Sequence, residues 1–201
     1  MIGSADAAAR RSWFETAGIV VGPEHELAGS SATDLLRSGL DITDMLVAVA
    51  LGLRDLHARP GNSCPFDSSP DSLLAEASAR VGRGVVTVDQ FDPAYRRYEP
   101  DRLLDLAISS QPAKLDPADQ VVIHGDARLG TVWIDQAHVS GWTSWTRGGS
   151  GDRYRDLATM AADLAGTVGP EALGPFVDAY GLVHADVVRL DWHLMVDQML
   201  R

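Results

Sequence analysis

Apolar residues recur at helical spacing through 42–58, where Met45, Val49, Leu53 and Leu56 fall on one face. The spacing predicts a long amphipathic helix, closed by Pro60 and Gly61. The same periodicity predicts helices over 70–81, 101–109, 152–165, 170–180 and 186–200, several opened by Asp or Pro as first-turn chemistry favours. Strand patterns are fewer. Residues 121–123, 132–134 and 139–143 are short, rich in β-branched side chains and separated by turn residues, so the middle of the chain reads as a small sheet set into a helical body. No internal repeat or low-complexity linker interrupts this order, and the expected class is α+β, mainly α.

With 201 residues and 45% apolar content, the chain can bury roughly 70% of its unfolded surface. That is enough for one sizeable domain, with or without a small appendage. A formal charge of -11, from 28 acidic against 17 basic residues, repels nucleic acid and anionic membrane surfaces and favours a cationic small molecule as partner. The longest apolar or glycine run, Met45 to Leu53, is about half the length needed to span a bilayer. The first residues include Asp6, Arg10 and Arg11 with no apolar signal region, and a cytoplasmic location is expected. A single cysteine, Cys64, excludes an internal disulfide and supports no zinc cluster.

Candidate chemistry concentrates at His124-Gly125-Asp126, a sharp turn between the apolar strands 121–123 and 132–134 that reads as one hairpin. A carboxylate on a tight turn can accept a hydroxyl proton and orient a nucleophile, and Asp126 could equally cap its own turn. His124 reads as a neutral, buried imidazole bonded to a backbone carbonyl. Gly148, Gly149 and Gly151 form a Gly-Gly-Ser-Gly stretch before a helix. It reads as a flexible linker into that helix, with a phosphate cradle as the lesser alternative. Asp152 would be the helix N-cap.

Four colinear stretches carry a family resemblance. Leu53-Arg54-Asp55-Leu56-His57-Ala58-Arg59-Pro60 with Cys64-Pro65-Phe66-Asp67, the segment 121–135, Val139-Ser140-Gly141-Trp142 through Gly151-Asp152-Arg153-Tyr154-Arg155-Asp156-Leu157-Ala158, and Val196-Asp197-Gln198-Met199-Leu200 together resemble the aminoglycoside 3'-phosphotransferases. The resemblance covers the chain from about Leu53 to its end. It implies the helical C-terminal lobe of a protein-kinase-like fold with a small β-hairpin insertion, over 41–201. Residues 1–40 would be a remnant of the N-lobe and hinge segment, with the nucleotide-binding N-lobe largely missing. The single lysine, Lys114, sits downstream of the supposed hinge and cannot be the strand lysine that pairs nucleotide phosphates.

The family reaction is ATP-dependent phosphorylation of an aminoglycoside hydroxyl, so the resemblance implies ATP and Mg2+ as cofactors and Asp126 as the catalytic base. Arg147 would face the transferred phosphoryl group, with a surface ion pair to Asp152 as the competing role. Asp156 and His124 would support the loop. The family's metal ligands are an Asn and an Asp, and here Thr131 and Ser144 stand at those positions. Neither is a good magnesium ligand. Trp145 is expected to fill the space a hydrated ion would take. Asp89 and Asp92 match an acidic substrate loop, and Asp197 with Gln198 matches the family's acidic C-terminus, which pairs with ammonium groups.

The reading favoured by the sequence is a degenerate phosphotransferase-like protein. Two alternatives stand beside it: an active small-molecule kinase completed by another chain, and a non-catalytic interaction protein. A helical lobe without its partner lobe exposes apolar surface, so a homo-oligomer, such as a dimer, or a covering partner protein is expected.

Overall fold

In the computed structural model, residues 4–39, 41–112 and 116–201 are described; Lys114 lies outside them. Helix α1 (Ser4–Thr16) is followed by strand β1 (Ser30–Ser31), helix α2 (Ala32–Ser38) and the long helix α3 (Ile42–His57). Strand β2 (Asp67–Ser68), α4 (Pro70–Gly82) and α5 (Pro100–Ser109) come next. Then follow β3 (Gln120–Ile123), β4 (Val132–Asp135), β5 (His138–Trp142), β6 (Gly149–Asp152) and the helices α6 (Arg153–Thr167), α7 (Leu173–Tyr180) and α8 (Val187–Leu200). Among the described residues no helix is long and apolar enough to cross a membrane.

Local chemistry accounts for the helix boundaries. Asp41, Ser69, Asp152 and Asp186 each accept a backbone N–H of the first turn from the N-cap position, and Pro70 and Pro100 occupy first-turn sites where no amide partner is needed. Each such cap is worth about 1 kcal/mol. Met45, Val49, Leu53 and Leu56 are all buried, as the periodicity of α3 requires. They belong to one apolar core with Val122, Leu129, Val132, Leu157 and Met160, while α4, α5 and α8 enclose a second core around Leu73, Phe91, Leu103, Trp192 and Val196. The His124–Asp126 turn leaves β3, against which α6 packs.

The sheet arrangement departs from the sequence reading. Strands 121–123 and 132–134 do not form one hairpin around His124–Asp126. β3 pairs antiparallel with β6, which pairs in parallel with β2, while β4 pairs with β1 and β5 in a separate sheet. The true hairpin is β4–β5, and the His124–Asp126 turn is the crossing between the two sheets.

The glycines of 148–151 are neither linker nor phosphate cradle. Gly149, Ser150 and Gly151 are buried in the central strand β6. A Cβ on Gly151 would sit 2.5 Å from Ile123 Cδ1 and 2.6 Å from the Ser68 carbonyl oxygen, so glycine is what lets the neighbouring strand approach. Phe14 on α1 is fully buried, its ring centroid 4.1 Å from that of Trp145.

Candidate active site

The His124–Asp126 turn is braced from α6. Asp156, fully buried, accepts the His124 amide at 2.6 Å and the Gly125 amide at 2.7 Å, and bonds His57 Nε2 at 3.1 Å. Burial works to raise this carboxyl, but the His57 bond, the neighbouring rings and the loop amides hold it below the usual carboxylate range. His124 Nε2 donates to the Thr143 carbonyl at 2.7 Å, which leaves Nδ1 to accept the Asp126 amide at 3.3 Å. Burial pushes the His124 imidazole down, so it stays neutral near pH 7. Gly125 turns the chain with φ +83°, and a Cβ there would run into the Arg147 carbonyl.

Asp126 is thereby presented half-buried, but its carboxylate is not free. Arg128 Nε donates to Asp126 Oδ1 at 2.8 Å while Arg128 Nη2 donates to Asp197 Oδ2 at 2.8 Å. Asp197 also accepts from the fully buried Arg155 at 2.8 Å and from Arg201 at 2.9 Å. Burial would push the Asp197 carboxyl up; Arg155, Arg128 and Arg201 outweigh it and hold the group ionised far into acid. Arg201 clasps Asp92 with both terminal nitrogens, at 2.6 and 2.7 Å.

These contacts place each expected residue. Asp126, Arg147 and Asp197 line one cavity of about 550 Å³, together with Arg80, Arg128, Leu200 and Arg201. Asp92 reaches it only through Arg201. Gln198 is 1% exposed, its amide spent on the Asp92 backbone and carboxylate, so it cannot meet a ligand. Asp89 is exposed in a 3-10 turn and is not part of the cavity wall. Arg147 pairs with Glu76 at 3.3 Å and with the Leu200 carbonyl, not with Asp152. Asp152 caps α6 and, fully buried, also binds Arg189 and His193 of α8.

The residues at the family's metal positions do not fit magnesium. The Thr131 hydroxyl donates to the Arg128 carbonyl at 2.9 Å and accepts the Arg128 amide at 3.0 Å, closing its own 3-10 turn. Ser144 is exposed at φ +63°, and the Trp145 ring beside it is buried against Phe14 and His124, with its Nε1 donating to the Trp142 carbonyl. No group of three or more His, Cys, Asp or Glu side chains among the described residues could hold a metal ion.

Arg155, Arg128, Arg80 and Arg201 were not singled out by the sequence reading. A signal for the first was present. Asp152, Arg155, Asp156 and Thr159 recur at i, i+3, i+4 and i+7 on a helix flanked by apolar residues, and all four are fully buried. Such a polar stripe marks a buried network. Nothing local distinguishes the other three from solvated surface arginines.

A helix-rich α+β body with an Asp-bearing turn held between two small sheets is the arrangement of kinase-like phosphotransferases. Residues 26–193 match the model of the phosphotransferase enzyme family (APH), and the chain belongs to that family. It is 31% identical over 175 residues to an aminoglycoside 3'-phosphotransferase from Escherichia coli, covering 86% of this chain and 62% of the relative. The chain therefore spans about six tenths of that enzyme. Among solved structures, an aminoglycoside-3'-phosphotransferase of type VIII superposes with a TM-score of 0.84 at 26% identity, covering 97% of this chain and 79% of the other. The fold is shared as well with aminoglycoside phosphotransferase APH(3'')-Id from Streptomyces rimosus, solved with ADP and streptomycin, at a TM-score of 0.79 and 23% identity over 98% of this chain and 82% of that one.

Proposed function

We propose that this chain is an aminoglycoside-phosphotransferase-like protein that keeps the catalytic loop but does not itself carry out ATP-dependent phosphorylation of an aminoglycoside. The observation that carries this reading is the Arg128 side chain, which bonds Asp126 and Asp197 at once at 2.8 Å each. With Arg128 bonded across it, Asp126 is tied to Asp197 and one of its two oxygens is already occupied when a hydroxyl approaches. The metal positions support the same conclusion. Thr131 and Ser144 offer neither a carboxylate nor a side-chain carbonyl, and Trp145 occupies the neighbouring volume.

Family membership supports the fold of an ATP-dependent transferase, and Asp126 is the residue that would act as base were the reaction retained. Purified protein incubated with ATP, Mg2+ and kanamycin should release ADP no faster than a no-enzyme control, and Asp126→Asn should leave that rate unchanged. Turnover that Asp126→Asn abolishes would establish a working kinase and overturn the reading.

A further inference from the structure

A second cavity, of about 460 Å³, opens where α3 and α7 end and β3 begins. It shares no lining residue with the cavity beside Asp126, and its volume falls within the roughly 300–1,000 Å³ usual for small-molecule sites. The buried side chains of His57, Tyr180 and Val121 and the half-buried Leu182 line it, and Arg54 and Arg153 supply its charge. No carboxylate lines it among the described residues. Burial pushes the Tyr180 phenol up to about 12 against the opposing pull of the Arg153 charge, so it keeps its proton and donates to His57 Nδ1 at 2.8 Å. His57 Nε2 then donates to Asp156 at 3.1 Å, and Asp156 accepts the His124 and Gly125 amides. A group bound against Tyr180 is therefore three side chains from the backbone of the catalytic turn.

Neighbouring acids do not cancel the two arginines. Asp119 is shared between Arg153 at 3.1 Å and Arg189 at 2.6 Å, and Asp116 accepts the Ala118 amide at 2.8 Å. Asp156 has no exposed surface, and Asp55, next to Arg54 in the chain, lines a different groove. Asp178, two residues before Tyr180, falls on another side of α7. Arg54 is exposed and forms no ion pair among the described residues. Two helix C-termini meet here, each carrying roughly half a negative charge. The Gly181 and Leu182 amides close the last carbonyls of α7, and the Ala58 and Arg59 amides do the same for α3, so two full guanidinium charges prevail. The net charge of -11 acts weakly at this distance, because charges beyond about 8 Å are largely screened at physiological ionic strength.

We infer that this cavity is a second binding site, for a small organic carboxylate whose anionic end bonds Arg54 and Arg153 while its apolar body lies on Val121 and Leu182. Its occupation is transmitted to the catalytic turn through Tyr180, His57 and Asp156. A planar carboxylate matches the guanidinium fork. Pro60 and Pro117, also in the wall, have no amide N–H, so they offer an apolar body surface and give the further oxygens of a phosphate no donor. The inference rests on this cavity alone and holds whether or not the chain turns over ATP.

Proton–nitrogen NMR titration of the purified protein tests it with phenylacetate, acetate, inorganic phosphate and phenethylamine. Phenylacetate should bind saturably and shift the amides of Ala58, Val121 and Leu182, with the other three at least tenfold weaker. Arg54→Gln and Arg153→Gln should each weaken phenylacetate at least tenfold, whereas Arg37→Gln, on the exposed face of α2, should leave it unchanged. Arg153 also holds the Ala118 carbonyl; should its variant fail to fold, Arg54→Gln carries the test. The Gly125 amide should move with the same midpoint as Val121, and Tyr180→Phe should abolish that movement while phenylacetate still binds. Absence of saturable phenylacetate binding, shifts centred away from this cavity, affinity indifferent to the Arg54 and Arg153 variants, or equal binding of phosphate or phenethylamine would overturn the site. A Gly125 amide that stays still, or moves equally in Tyr180→Phe, would overturn the transmission. Silence from every ligand would still leave the reading of absent ATP turnover standing.

Discussion

Asp156 carries more of the loop than any other single residue. One buried carboxylate satisfies two consecutive amides of the turn and bonds His57, which in turn bonds the Tyr180 hydroxyl at 2.8 Å. Charge-assisted bonds of this kind contribute about 1.5–3 kcal/mol each, and the amides they serve cannot reach water. Asp156→Ala should therefore destabilise the protein by about 3 kcal/mol or more, read as a fall in the urea midpoint at unchanged slope. Asp156→Asn should cost less, since its carbonyl oxygen still accepts one amide. The sequence made this residue visible through the family resemblance of its segment, which implied an Asp at 156 supporting the loop. It did not make Arg128 visible, because an arginine two residues beyond Asp126 looks the same in sequence whether it points to solvent or folds back across two carboxylates. For the same reason Asp92 and Asp197 were legible as acids near the site, but their neutralisation by Arg201 was not. Long flexible side chains reveal their partners only in three dimensions.

At the scale of elements, the helices from α3 onward were legible, whereas α1, α2 and the strand pairing were not. Periodicity and caps fixed α3, α4, α5, α6 and α8 to within a few residues, because each buries one face and begins with an Asp, Ser or Pro that serves its first turn. Helix α7 is shorter than the periodicity predicts, since 170–172 form a separate 3-10 turn. Strands of four residues specify no partner, and β6, reading Gly-Ser-Gly-Asp, has no strand pattern at all. Its identity comes from the close packing that glycine permits between β2 and β3. The β4–β5 hairpin offers a test. Its two turn residues, Gln136 and Ala137, both adopt positive φ, 47° and 63°, which costs roughly 1–2 kcal/mol per ordinary residue. Ile134 pairs with Val139 and Asp135 with His138 across this turn, the two-residue geometry that Asn-Gly favours. The double substitution Gln136→Asn, Ala137→Gly should raise stability by about 1 kcal/mol or more, measured as a higher urea midpoint. A loss of stability would mean that the turn is held open by contacts other than its own backbone.

For the molecule as a whole, buried titratable groups set how it responds to acid. Burial pushes the His124 and His193 imidazoles down despite the carboxylates of Asp156 and Asp152 beside them. The folded protein therefore keeps both neutral over a range where the unfolded chain, with histidines near about 6.5, takes up protons. Their contribution to stability is complete above that value and is lost as pH falls below it, at up to about 1.4 kcal/mol per pH unit for each histidine. Asp152, Asp156 and Asp197 behave as depressed acids. Their contribution is complete above the unfolded value of about 3.9 and disappears only as pH falls below it toward their folded values. Two stages follow: a decline beginning near pH 6.5 governed by the histidines, then a steeper one below about pH 4 as the arginine-held carboxylates lose their advantage. Urea midpoints at half-unit intervals from pH 7.5 to pH 3.5 would resolve them. His193→Gln removes one of the two imidazoles at a site whose Nδ1 has no partner, so the variant should show a shallower decline as pH falls below 6.5, whatever its stability at neutral pH. An unchanged slope would mean that His193 is protonated in the folded protein and forms a charged pair with Asp152 instead of a neutral hydrogen bond.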